Sequence, residues 1–287
     1  MTERWSGQSQ AGKAGFSIFL WWIQHLPLIF SYLLLYPVAA FYLFFSKKAN
    51  LSLIEYFKQL QVANSDSIHH RYKSFLNFGQ SLVDKLAVYA GKGNRITFDF
   101  ENEQELHRLA STGKGALLLG AHLGNWEIAG QLLYRIDAPI YIVMRDNEEE
   151  KIKQLLEQHS KGKSFSIIPI SDDASFIITI KNALAAGGLV CMHADRYMSG
   201  MRTLKSTFLG RVAHFPFGPF FMGSKLKVPI VFVYAMKDSL YHYQFSCSQA
   251  YTDMSPEDLF QRYLNLLEEK AKLYPYQWYN FYPFWED

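Results

Sequence analysis

The sequence predicts an α/β fold: a mostly parallel or mixed sheet with helices on both faces, preceded by an N-terminal membrane-associated helical segment. Three observations predict it. From residue 93 onward, short apolar runs alternate with amphipathic stretches, the pattern of strand–helix–strand units. The run Ala116-Leu117-Leu118-Leu119 is apolar without alternation, as in a strand covered on both faces. Residues 16–45 carry no charged side chain, and residues 26–45 are almost unbroken apolar sequence, long enough to cross a bilayer core as a helix.

The chain divides accordingly into an anchor over 1–50, a helical arm over 51–92 and an α/β domain over 93–287. Pro27 and Pro37 leave a kinked or re-entrant anchor open beside a straight spanning helix. Trp5, Trp21 and Trp22 suit an interfacial belt, and Lys47-Lys48 favours a cytoplasmic location for the chain beyond it. Helices are predicted over 51–64 and 66–90, the second opening at Ser65-Asp66-Ser67 and stopping at Gly91. A strand comes next over 95–100, and Asn102 to Glu105 has the form of a capping box. Further strands fall at 115–122, 139–144, 165–170, 189–193 and 229–235. Helices separate them at 125–135, 148–159 and 173–186. Residues 241–248 alternate like an edge strand. Ser255-Pro256 opens a last helix that runs to about residue 274. Residues 200–219 read as a long irregular loop, a kind of segment that tends to carry function.

Bulk properties exclude several classes. The net charge of +3 is mild and the basic residues are scattered, so nucleic acid is not an expected partner. Two cysteines give no disulfide framework and suit a reducing compartment. No Cys-x-x-Cys or His-x-His occurs, and the adjacent His69-His70 point to different helix faces; no metal and no cofactor are expected. Gly-x-Ser-x-Gly is absent, which argues against a serine nucleophile elbow.

The chemistry concentrates at His122-Leu123-Gly124-Asn125-Trp126-Glu127. An imidazole sits at the carboxyl end of a predicted strand, where open α/β sheets place their reactive groups. A glycine turn and a carboxylate come after it. Glu127 can hold one ring nitrogen and leave the other as a base. Met144-Arg145 and His193-Ala194-Asp195-Arg196 also follow sheet strands, and guanidinium groups there suit anionic substrates. Asp195 and Arg196 can equally pair with each other and fix their loop.

The block His122 to Glu127 resembles the first motif of the lysophospholipid acyltransferase superfamily, in the branch of the lipid A late acyltransferases, where His-x4-Glu replaces His-x4-Asp. Asp195-Arg196, Phe208-Leu209-Gly210-Arg211, Pro216-Phe217-Gly218 and Pro229 resemble later blocks of that branch in the same order. The resemblance implies a fatty acyl group moved from a thioester, on acyl carrier protein or coenzyme A, to a hydroxyl or amine of a lipid acceptor. It implies His122 as general base with Glu127 as orienting partner. Arg145, Asp195, Arg196, Gly210, Arg211, Pro216 and Gly218 would line the substrate site. The implied location is the bacterial inner membrane, with the catalytic domain on the cytoplasmic side. The acidic run Asp146 to Glu150 and the aromatic ending Tyr279 to Trp285 depart from the lipid A enzymes, and the pattern looks more like relatives acting on other lipids. A non-catalytic lipid-binding protein and an acyl-ester hydrolase are the rival readings.

Overall fold

The computed structural model describes residues 21–125, 128, 135–144, 165–170, 175–198 and 200–285. Its centre is a seven-stranded sheet. The strands are β1 (Thr97–Glu101), β2 (Ala116–Gly120), β3 (Ile140–Met144), β4 (Ser166–Pro169), β5 (Leu189–His193), β8 (Ile230–Ser239) and β9 (His242–Cys247), in the order β1-β9-β8-β2-β5-β3-β4. All neighbours are parallel except β8 and β9. The predicted mixed α/β sheet is therefore present.

Every residue of β2 is buried, because helices cover both faces. Leu117 and Leu119 join a core with Tyr263 and Leu264 of α7 (Pro256–Leu273) and Phe220 of α6 (Gly218–Leu226). Ala116 and Leu118 pack oppositely, with Leu106 and Leu109 of α4 (Glu103–Ser111). Helix α5 (Ser175–Ala185) leads into β5, which pairs with β2 in register so that Gly120 lies opposite His193. Helix α7 starts as predicted, with the Ser255 hydroxyl accepting from the Asp258 amide and Pro256 in its first turn.

Ahead of the sheet lie α1 (Leu28–Phe45), α2 (Lys47–Gln59) and α3 (Ile68–Tyr89). Pro27 caps α1 and Pro37 is accommodated within it. Leu28, Ser31, Tyr32, Leu35 and Ala39 form its buried stripe, at the three- and four-residue spacing of one helix face. Leu35 fills the space that the absent side chain of Gly79 leaves on α3. The other faces of α1 expose Phe30, Leu33, Phe41, Phe44 and Phe45, the last two at 75% and 72%. Eighteen residues rise about 27 Å, close to a hydrocarbon core. Among the described residues α1 is the helix long and apolar enough to cross a membrane, by length and composition.

Several expectations need correction. Residues 200–219 are not irregular: β6 (Thr203–Phe208) and β7 (Arg211–Pro216) form an antiparallel hairpin. Leu209 and Gly210 both take positive φ, 52° and 83°, the geometry of a two-residue hairpin turn. The strand over 241–248 is not at the edge, since β1 pairs outside it. The Asn102 capping box does not form. Asn102 adopts a left-handed conformation, its amide donates to the Cys247 carbonyl, and Glu105 binds Arg108 and the Ala250 amide instead. The helix predicted over 51–64 begins earlier, at Lys47, after a break at Ser46. The helices predicted over 125–135 and 148–159 lie almost wholly outside the described residues.

Candidate active site

Two parallel strands, β2 and β5, end together at the site. The chain leaves β2 at Gly120, and Ala121-His122 carries it past the end of the sheet between β5 and β8. The Gly120 carbonyl accepts from the Ala194 amide and from the Tyr263 hydroxyl, each at 3.0 Å, which fixes the two strand ends against α7.

Beyond it the loop is held residue by residue. The His122 carbonyl accepts from the Tyr279 amide at 3.0 Å, the Gly124 amide donates to the Gln277 carbonyl at 2.9 Å, and the Asn125 amide donates to the Ala235 carbonyl at 2.7 Å. Gly124 has φ +74°, and a Cβ there would lie 2.2 Å from the Ala235 carbonyl oxygen. Only glycine lets the loop approach β8 so closely.

The His122 ring is fixed by Asp195. Nδ1 lies 2.8 Å from Asp195 Oδ1, and the His122 amide donates to Oδ2 at 3.0 Å. The indole N–H of Trp278 reaches the same Oδ2 at 3.4 Å. Asp195 is fully buried, whereas the His122 side chain keeps 26% of its surface exposed. Trp278 itself sits in an aromatic cluster with Tyr56, Phe208, Phe284 and Trp285.

Burial alone would raise the Asp195 pKa, yet the charge and hydrogen bond of His122, with Arg196, hold it below the usual carboxylate range. Asp195 is thus an anion that accepts Nδ1–H and leaves the lone pair on Nε2. Burial lowers the His122 pKa, with Arg196 acting in the same sense and Asp195 opposing. The imidazole is therefore neutral at neutral pH, with Nε2 open to accept a proton. His193 stacks on it with ring centroids 4.1 Å apart and planes inclined by 22°. Burial first, then the neighbouring His122, holds His193 well below the ordinary histidine value.

The remaining predicted residues fall in different places. Arg196 donates to the Tyr279 carbonyl at 2.6 Å and lies 5.3 Å from the Tyr282 ring centre, so it braces the C-terminal segment over the site. Arg211 pairs with Glu55 of α2 at 2.6 Å. Gly210 makes the hairpin turn, Pro216 ends β7 and Gly218 opens α6. Glu127 and Arg145 lie outside the described residues. Sequence reasoning placed His193 at a strand end and Gln277-Trp278 within the family resemblance, without connecting any of the three to His122. Their signal is long-range, and no local spacing carries it.

Ligand-type atoms of His122, His193 and Asp195 lie within 4.8 Å of one another. The two rings are nearly parallel, however, so their in-plane lone pairs run side by side instead of meeting at a point, and Asp195 Oδ1 is engaged by Nδ1. Beside His193 a small apolar cavity of about 50 Å³ opens between Gly120, Leu118, Cys191, Val233 and Phe245. Burial pushes the Cys191 thiol up to about 12, so it is no nucleophile.

A buried carboxylate on a strand-end imidazole serves acyl transfer, hydrolysis and several other reactions alike. The comparison that decides among families is a match over residues 17–287 to the model for bacterial lipid A biosynthesis acyltransferases. The chain belongs to that family. No curated protein sequence matches it. As a member of the lipid A biosynthesis acyltransferase family it is an acyltransferase acting on lipid substrates, and it uses an acyl donor and a lipid acceptor. Within this acyltransferase the matched range takes in the His122 loop, the β6–β7 hairpin and the C-terminal aromatic segment.

Proposed function

We propose that the protein moves a fatty acyl group from a thioester, carried on acyl carrier protein or coenzyme A, to a hydroxyl or amine of a membrane lipid, with His122 as general base. His122 Nε2 takes the acceptor proton as oxygen or nitrogen attacks the thioester carbonyl. The tetrahedral intermediate collapses, the carbon–sulfur bond breaks, and the leaving thiolate takes the proton back from the imidazolium. Asp195 holds the tautomer and stabilises the transient cation. Glu127, five residues after His122, belongs to the same reading as a second orienting carboxylate. The apolar cavity beside His193 suits the start of an acyl chain. Exposed aromatics on α1 support seating at a lipid surface, which this reading takes to be the cytoplasmic face of the bacterial inner membrane.

The observation that carries the proposal is the 2.8 Å contact between His122 Nδ1 and Asp195 Oδ1. The test uses full-length protein in detergent, lauroyl thioesters of acyl carrier protein and of coenzyme A, and a bacterial lipid extract, with products read by mass spectrometry. Acylated lipid that disappears in a folded His122→Ala variant supports the reading, with a loss of about a hundred-fold to ten-thousand-fold in rate. Free fatty acid formed equally well without lipid would make it a hydrolase. Lipid binding without turnover would make it a non-catalytic carrier.

A further inference from the structure

A buried charged cluster lies apart from the catalytic pair. Asp84 of α3 is fully buried and pairs with Lys237 of β8, whose side chain is 7% exposed. The hydroxyls of Tyr32 on α1 and Tyr243 on β9 both donate to the Asp84 carboxylate. The Tyr32 hydroxyl oxygen also lies 3.1 Å from the Leu240 carbonyl oxygen, and Lys237 Nζ donates to it at 3.5 Å. Four elements therefore meet at one carboxylate, and α1 reaches it through Tyr32.

Two hydrogen-bonded routes leave the cluster for the catalytic loop. In the first, Asn125 Nδ2 donates to the Tyr243 hydroxyl at 3.2 Å and to the Ser81 carbonyl of α3 at 2.8 Å. In the second, the Gln277 side chain clasps the backbone of Lys237, accepting from its amide at 2.8 Å and donating to its carbonyl at 2.7 Å. The Gln277 carbonyl then receives the Gly124 amide, and the next residue, Trp278, contacts Asp195. Replacing a buried ion pair by apolar side chains is often neutral or stabilising, whereas removing one partner is costly. Such a cluster is therefore a poor stabiliser and a good specifier: it is satisfied when all four elements are in place and penalised when one is missing.

We infer that the Tyr32–Asp84–Lys237–Tyr243 cluster is a positioning device that ties the conformation of the His122–Asn125 loop to the seating of α1 on α3. None of its members touches the reacting atoms; they act through Asn125 and Gln277. Resting on the acyltransferase reading and deepening it, this makes turnover depend on the seating of the apolar helix whose outer face suits a lipid surface.

The test follows amide hydrogen exchange and turnover of the full-length chain in detergent micelles. Tyr32→Phe keeps the ring and removes one hydroxyl from Asp84. Gly79→Ala leaves the cluster intact and presses a methyl on Leu35, whose Cδ2 lies 2.8 Å from where that Cβ would be. Leu109→Ala, in the separate apolar cluster beneath α4, is the control for general loosening. Tyr32→Phe is expected to speed exchange at the Gly124 and Asn125 amides by roughly two- to ten-fold, the worth of one net hydrogen bond, and Gly79→Ala to speed it at the same two amides. Amides of β3 should stay unchanged, and kcat should fall at constant KM for lauroyl-coenzyme A. Unchanged exchange at those two amides in either folded variant, or the same local change in Leu109→Ala, overturns the inference. If Tyr32→Phe does not fold, Gly79→Ala decides alone. If exchange shifts as expected while even the unaltered protein transfers no acyl group, the coupling stands and the acyltransferase reading fails.

Discussion

Asp195 grips His122 twice, through Oδ1 to the ring nitrogen Nδ1 at 2.8 Å and through Oδ2 to the backbone amide at 3.0 Å. One carboxylate thus sets both the tautomer of the base and the place of the residue that carries it. Asp195→Asn keeps the shape but offers the ring an amide N–H in place of a second acceptor. It is expected to lower kcat by about a hundred-fold to ten-thousand-fold while leaving the circular dichroism spectrum unchanged. A folded Asp195→Asn enzyme within a few-fold of the original rate would move the orienting role to another carboxylate, Glu127 foremost.

The pH dependence is set by the charges around the ring. Burial and Arg196 lower the His122 pKa against the pull of Asp195. A general base works deprotonated, so activity is full above that pKa and is lost as pH falls through it. The inflection in kcat/KM is expected below the ordinary histidine value of about 6.5. Removing the guanidinium in Arg196→Gln takes away a charge that disfavours the imidazolium, and should move the inflection upward. A profile with its acid limb at or above the ordinary value would argue against His122 as the titrating base.

Two glycines with positive φ separate backbone strain from steric exclusion. Gly113 has φ +64° and open space where a methyl would stand, whereas at Gly124 the methyl would meet the Ala235 carbonyl oxygen at 2.2 Å. Gly113→Ala should cost about 1 to 2 kcal/mol, the left-handed penalty alone. Gly124→Ala incurs that penalty and also forces the loop off β8. Thermal denaturation of both variants should show the second clearly less stable, with activity lost well below its melting temperature. Equal stability would mean that the loop has room to shift.

The outer face of α1 gives a membrane prediction. Phe41, Phe44 and Phe45 are exposed at 57%, 75% and 72%. Each contributes roughly 1.5–3 kcal/mol when its ring leaves water. The triple serine variant should therefore co-sediment with phospholipid vesicles more than ten-fold less than the unaltered chain, while melting at a similar temperature. Undiminished co-sedimentation would place the lipid contact elsewhere.

What the sequence made legible was local. The apolar run of β2 and the His122 that follows it marked both a doubly covered strand and an imidazole at its end, and the ordered motifs up to Gly218 pointed to the family. Asp195 was harder to foresee beside His122, because spacing brings forward Glu127, which lies outside the described residues, while the carboxylate on Nδ1 is 73 residues away. The hairpin of β6 and β7 read as a loop because Gly210, Pro216 and Pro219 punctuate it, and its alternation is half exposed. Alternation in β9 announced one covered face, and it holds no information on the neighbour that pairs beyond it. Asp84 and Lys237 are unmarked in the sequence, since nothing in their surroundings along the chain announces that four elements will close over them.

Residues 277–279 close the catalytic loop from the far end of the chain: Gln277 takes the Gly124 amide, Trp278 reaches Asp195, and Tyr279 binds the His122 carbonyl. On a translating ribosome α1 emerges more than two hundred residues before this clasp does. A nascent chain therefore has its greasy helix ready to meet a bilayer while the base still lacks the backbone that holds it. If α1 is the membrane contact and His122 the base, as proposed, delivery precedes competence: a half-made polypeptide on lipid has no finished machinery with which to act on it.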